Sequence, residues 1–82
     1  MSPKPISEKH TNKYFQLGFN IAYYRKLKGY TQEELAEKID LHHVFLSKVE
    51  APSIPRGISL ETLFNIAEAL EIEPHKLLVF RD

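Results

Sequence analysis

The stretch that most constrains this chain is Gly29-Tyr30-Thr31-Gln32-Glu33-Glu34, where one helix has to stop and the next has to start. Glycine commonly follows the last helical residue because it accepts the left-handed backbone that closes a helix. Thr31 to Glu34 then reads as a capping box. The Thr31 hydroxyl can accept from the backbone amide of Glu34, while the Glu34 carboxylate reaches back to the amide of Thr31. Tyr30 before the box and Leu35 after it can close an apolar staple over the same corner.

Apolar spacing extends helices to either side of that corner. Leu17, Ile21, Tyr24 and then Leu27 or Lys28 recur at three- and four-residue intervals, which predicts a first helix that runs from Tyr14 and is stopped by Gly29. Leu35, Ala36 and Ile39 give a second helix of only two turns, Gln32 to Ile39. Asp40-Leu41-His42 reads as a turn, since Asp is among the few non-glycine residues that tolerate a left-handed conformation. A third short helix fits His43 to Glu50 with Leu46 and Val49 inward. Pro52, Pro55 and Gly57 break any helix across residues 51–58. Ser59 caps a fourth helix carrying Leu60, Leu63, Ile66, Ala67 and Leu70, and Pro74 opens a final turn through Leu78. Residues 1–13 are polar and contain Pro3 and Pro5, so they are expected to be a flexible arm ahead of one domain at 14–82. The expected fold is all-α, with five helices and no strand.

Composition limits what such a domain can do. The chain has 82 residues, 43% hydrophobic and 27% charged, enough for one small core and too apolar for a wholly disordered chain. It has no cysteine, which removes disulfides and thiolate metal sites and fits a reducing compartment. No apolar run approaches the roughly 18 residues of a membrane span. Met1 to His10 lacks the apolar centre of a secretory signal. A cytoplasmic protein with no membrane association is expected. The adjacent His42 and His43 point about 100° apart on a helix and have no third ligand at useful spacing, so no metal is expected. Ser47, Ser53 and Ser59 have no catalytic motif around them, and there is no glycine-rich phosphate loop. The expectation is therefore no enzyme and no cofactor. Eleven basic and eleven acidic residues cancel overall, yet residues 1–30 hold six basic groups against one acidic group. A neutral molecule with a basic face is possible on that distribution.

At Thr31 to Glu50 the residues become specific. Thr31-Gln32-Glu33-Glu34-Leu35-Ala36-Glu37-Lys38-Ile39, a turn, then Leu46-Ser47-Lys48-Val49-Glu50 resembles the helix-turn-helix of the phage repressor and Cro (Xre-type) family. Leu17-Gly18 through Lys28-Gly29-Tyr30 resembles the family's first helix. Ser59 through Ile72 is similar to its fourth, and Leu77-Leu78 to its fifth, so the resemblance covers about residues 15–78. It implies a lambda-repressor-like five-helix bundle with the helix-turn-helix at helices 2 and 3, whose third helix enters the DNA major groove. His43 and Val44 occupy the first base-reading positions, and Ser47 and Lys48 lie further along the same face. Lys48 would donate to a guanine edge or a phosphate, and Val44 would pack on a thymine methyl. Gln32 matches a position that grips a backbone phosphate, and Arg56 would hold phosphate on the other side. Arg25 and Glu50 match a structural pair tying the first helix to the end of the third.

This chain departs from the family pattern at several points. His42 stands where Ser or Thr usually caps the third helix, Asp40 replaces a turn glycine, and Phe45 is large where small polar residues are common. The loop with Pro52 and Pro55 lacks the glycine expected soon after Glu50. The implied function is a sequence-specific transcriptional regulator, a repressor or controller, that binds double-stranded DNA as a homodimer. The dimer contact is expected from Phe19, Tyr23 and Leu77-Leu78-Val79-Phe80. The alternative is a protein-interaction module, such as an antitoxin, with secondary or no DNA binding. The neutral charge and the apolar Val44-Phe45 pair on the reading face favour this second reading. In either case a protein partner could cover the apolar groups.

Overall fold

Three of the helices start at a side chain that accepts a backbone amide, and three stop at a residue in the left-handed region. The computed structural model describes residues 7–80. Within them α1 is Thr11–Lys28, α2 Gln32–Lys38, α3 His43–Glu50 and α4 Leu60–Leu70. Single 3-10 turns lie at Glu8–His10 and Pro74–Leu78. No strand occurs among the described residues. The first helix begins three residues ahead of Tyr14, so residues 11–13 of the expected arm belong to α1. Residues 1–6 of that arm lie outside the described residues. The expected fifth helix is the 3-10 turn at Pro74–Leu78, which leaves four α-helices.

The capping box forms as the sequence requires. Thr31 Oγ1 accepts from the Glu34 amide at 3.0 Å, and Glu34 Oε1 accepts from the Thr31 amide at 2.9 Å. Ser59 Oγ accepts from the Thr62 amide at 3.1 Å to start α4. Gly29 (φ 84°) closes α1, with its own amide and that of Tyr30 returning to the carbonyls of Lys26 and Arg25. Asp40 (φ 56°) and Glu71 (φ 57°) close α2 and α4 with the same paired bonds. At Asp40 this is the left-handed turn its residue type allows.

Helices of seven and eight residues are not stable alone, so α2 and α3 depend on the core they share. That core is Leu17 and Ile21 of α1, Leu35 and Ala36 of α2 with Ile39, Leu46 and Val49 of α3, Leu63, Ile66, Ala67 and Leu70 of α4, and Leu77. Two apolar residues counted on helical faces point outward instead: Leu27 and Leu60 are 69% and 66% exposed. Lys28 pairs with Glu71 at 2.8 Å, joining the ends of α1 and α4. Leu77 is fully buried and Phe80 is half-buried against the core, so only Leu78 and Val79 of that apolar run remain exposed.

Candidate nucleic-acid interface

A helix of eight residues can bury one face and offer the other. In α3, Leu46 and Val49 are buried, and Phe45 is half-buried against the same core. Phe45 is therefore not on the reading face, contrary to the sequence expectation. At 3.6 residues per turn its position falls beside Leu46 and Val49, and a phenyl ring fills that space. Among the exposed residues of α3 are the expected His43, Val44, Ser47 and Lys48, which share one side. Among the described residues Lys48 has no hydrogen-bond or ion-pair partner, which leaves its exposed ammonium group available to a ligand.

His42 starts this helix despite its unusual side chain. Its Nδ1 accepts from the Val44 amide at 3.2 Å, the bond a Ser or Thr hydroxyl would otherwise accept. The accepting nitrogen must be unprotonated, which places the ring hydrogen on Nε2. The His42 and His43 rings stack with centroids 4.6 Å apart and planes 27° from parallel. The His43 ring is thereby packed on the residue that caps the helix.

The other end of α3 is fixed by a clamp that joins three helices. Arg25 Nε donates to Glu50 Oε2 at 2.9 Å, and Arg25 Nη2 donates to Oε1 at 2.8 Å, a two-pronged pair. Arg25 Nη1 donates to the Tyr30 carbonyl at 2.7 Å, at the corner between α1 and α2. Only 9% of the Arg25 side chain and 5% of the Glu50 side chain are exposed. The Glu50 carboxylate holds the Arg25 guanidinium even more firmly charged than usual, outweighing the opposing effect of burial. The expected structural pair is present.

Gln32 is also part of this clamp, which the sequence did not reveal. Its Nε2 donates to Glu50 Oε1 at 3.1 Å, leaving its side-chain carbonyl and the first amides of α2 as the outward groups. Gln32 and His43 line one shallow recess with Arg25, Thr31 and Glu33. Glu33 puts a negative charge into that recess, so a phosphate there would meet repulsion as well as donors. Arg56 is exposed on the loop between α3 and α4, where Gly57 rests against the Tyr14 ring. It has no hydrogen-bond or ion-pair partner among the described residues. Among the described residues no three metal-ligating side chains gather. No helix there is long and apolar enough to cross a membrane.

A short α2, a left-handed turn and an α3 clamped at both ends form a helix-turn-helix unit. The family model described as Helix-turn-helix matches residues 21–77, more than half of the chain. The chain belongs to the helix-turn-helix family. Among helix-turn-helix relatives it is 37% identical over 62 residues to the control protein C.SmaI of Serratia marcescens, covering 76% of this chain and 71% of that one. It is 35% identical over 66 residues to the transcriptional regulator SinR of Bacillus licheniformis, covering 80% of this chain but only 59% of SinR. Among solved helix-turn-helix structures, the restriction-modification controller C.AhdI of Aeromonas hydrophila superposes with a TM-score of 0.71 at 33% identity, covering 78% of this chain and 94% of that one. A structure of SinR in complex with DNA superposes equally well, with a TM-score of 0.71 at 35% identity, covering 77% of this chain and 98% of that one.

Proposed function

We propose that this protein is a sequence-specific DNA-binding regulator of transcription that places α3 in the major groove. The observation that carries this reading is the exposed face of His43, Val44, Ser47 and Lys48 on a helix fixed by His42 at one end and Arg25–Glu50 at the other. A reading helix must be rigid before it meets DNA, because ordering it on the operator would subtract from affinity. The regulators C.SmaI and SinR, and the SinR structure solved with DNA, support the same reading. In it Lys48 contacts a guanine edge or phosphate, His43 and Val44 read bases, and Ser47 contributes a hydroxyl. Gln32 and Arg56 hold the backbone on either side. The fold is then a lambda-repressor-like bundle in which the 3-10 turn at Pro74–Leu78 stands in place of a fifth helix.

The protein acts as a homodimer in the cytoplasm and needs neither cofactor nor catalytic chemistry. Two reading helices would enter successive major grooves, with half-sites about 34 Å apart. Support for a dimer comes from Leu78 and from Leu60 and Phe64, one turn apart on α4, which are 48%, 66% and 49% exposed. The test is fluorescence anisotropy on a random-sequence duplex over a salt series, with wild type beside Lys48→Ala. Binding should weaken steeply with salt, and Lys48→Ala should lower affinity by about tenfold with a shallower salt slope. Absence of binding by wild type at low salt would overturn the reading.

A further inference from the structure

Phe19, Tyr23 and Leu27 recur every four residues on α1 and are 56%, 57% and 69% exposed. Scattered apolar side chains on a small domain need no explanation, but a stripe beside another exposed apolar residue does. Val79, 58% exposed, is that residue. The stripe faces away from the reading helix. α1 turns Leu17, Gly18, Ile21 and Arg25 inward, with Gly18 against Val49 and Arg25 on Glu50 of α3. At about 100° per residue, Phe19 and Tyr23 fall on the opposite side.

The second wall of this surface is built, not incidental. Asn20 Nδ2 donates to the carbonyls of Leu77 at 2.9 Å and Val79 at 3.0 Å, holding the segment after the 3-10 turn beside the helix. Tyr24 meets Tyr23 edge to face, with centroids 5.0 Å apart, which limits where the Tyr23 ring can lie. Between the walls runs an open groove of about 410 Å³. Among the described residues its charged lining is Lys26 and Lys76, both exposed and neither side chain with a hydrogen-bond or ion-pair partner there.

We propose that this groove docks an amphipathic helix of another protein, one whose apolar stripe is flanked by Asp or Glu. Phe19, Tyr23 and Val79 receive the apolar side chains at helical spacing, and Lys26 and Lys76 receive the carboxylates. Charge decides against a second copy of this chain. In a two-fold contact the patch meets itself, so Lys26 and Lys76 would face their own counterparts, and none of the described residues lining the groove is an acid that could answer them. The expectation that Phe19 and Tyr23 serve the homodimer is replaced by this assignment. DNA fits no better, because phosphates would satisfy the lysines while setting the aromatic stripe against charged oxygens. The inference does not depend on α3 entering DNA.

The test uses the full chain and two labelled helical peptides of about 18 residues with one identical apolar face, flanked by Glu in one and by Lys in the other. Anisotropy should show the acidic peptide binding at least about tenfold more tightly than the basic one. Amide chemical-shift changes should cluster at Phe19, Tyr23, Lys26, Lys76 and Val79. Tyr23→Ser should weaken the acidic peptide, and Lys26→Glu with Lys76→Glu should reverse the preference. These positions are exposed, and circular dichroism checks that the fold survives. Equal binding of the two peptides, binding of neither, or shifts centred elsewhere would each overturn the proposal. So would a sedimentation result in which Tyr23→Ser turns a dimer into a monomer, because the face would then belong to a second copy.

Discussion

Gly18 is buried where α1 crosses the end of α3, and the missing side chain is what allows the approach. A Cβ built there collides with the carbonyl oxygen of Val49, a backbone atom that no rotamer change can move aside. Gly18→Ala gains helix propensity, yet it must push α1 and α3 apart. Overpacking of this kind costs about 1–3 kcal/mol, and the loss should appear in thermal melts together with weaker DNA binding. Gly29→Ala is the contrast. Nothing lies within 4 Å of its Cβ, but φ is 84°, so it should lose about 1 kcal/mol by backbone strain alone and leave DNA binding intact. His42 allows a separate test of how α3 is started. His42→Ala removes the acceptor for the Val44 amide and should cost about 1 kcal/mol, whereas His42→Ser replaces the acceptor and should cost little. Faster amide exchange at Val44 in the alanine variant only would confirm the cap. Sequence pattern marked His42 as a departure because it compares residue types, whereas the imidazole nitrogen supplies the same lone pair as a hydroxyl.

At the scale of elements, caps were the most legible feature, because a cap is a contact between residues two or three apart. The capping box of α2 was readable from four residues and brings a dependence on pH. The backbone amide of Thr31 holds the Glu34 carboxyl below its ordinary value of 4.5. A carboxyl with a lowered folded-state value adds stability that is complete above its ordinary value and is lost as pH falls through the depressed one. Glu34→Gln keeps a hydrogen-bonding side chain that does not titrate. Its stability should therefore fall less than that of wild type below about pH 4.5, as followed by helicity during acid titration. The end of α4 was less legible. Glu71 takes a left-handed conformation that glycine or asparagine would take more easily, and its carboxylate accepts from Lys28. Glu71→Gly should raise the melting temperature in a Lys28→Ala background, where the ion pair is already absent, and do so less in wild type. The last turn was legible in position but not in type, for a related reason. Pro74 signals a helical start, but only packing against α1 and α4 decides between a 3-10 turn and an α-helix.

For the whole molecule, the contact that organises the site joins residues far apart in the chain. Arg25, Gln32 and Glu50 come from three helices and Tyr30 from the corner between α1 and α2, and the bond between Gln32 and Glu50 spans 18 positions. No local pattern encodes such a bond, so the sequence placed Gln32 at the start of α2 without its anchor. The Arg25–Glu50 pair was available only through family resemblance. A domain of this size has about 5–10 kcal/mol of total stability, so one buried charge left unpaired can remove much of it. Glu50→Ala strands the Arg25 guanidinium and frees Gln32, which should cost about 3–5 kcal/mol. At roughly 4–8 °C per kcal/mol the melting temperature should drop far enough to be unmistakable. Replacing both partners at once, Arg25→Met with Glu50→Leu, removes the buried charges together and should recover most of that loss. The recovery should not extend to DNA affinity, because the double variant still lacks the carboxylate that holds Gln32 against the end of α3. A variant with restored melting temperature and weakened DNA binding would show that the clamp serves recognition more than stability. Full recovery of both would show instead that Gln32 needs no anchor.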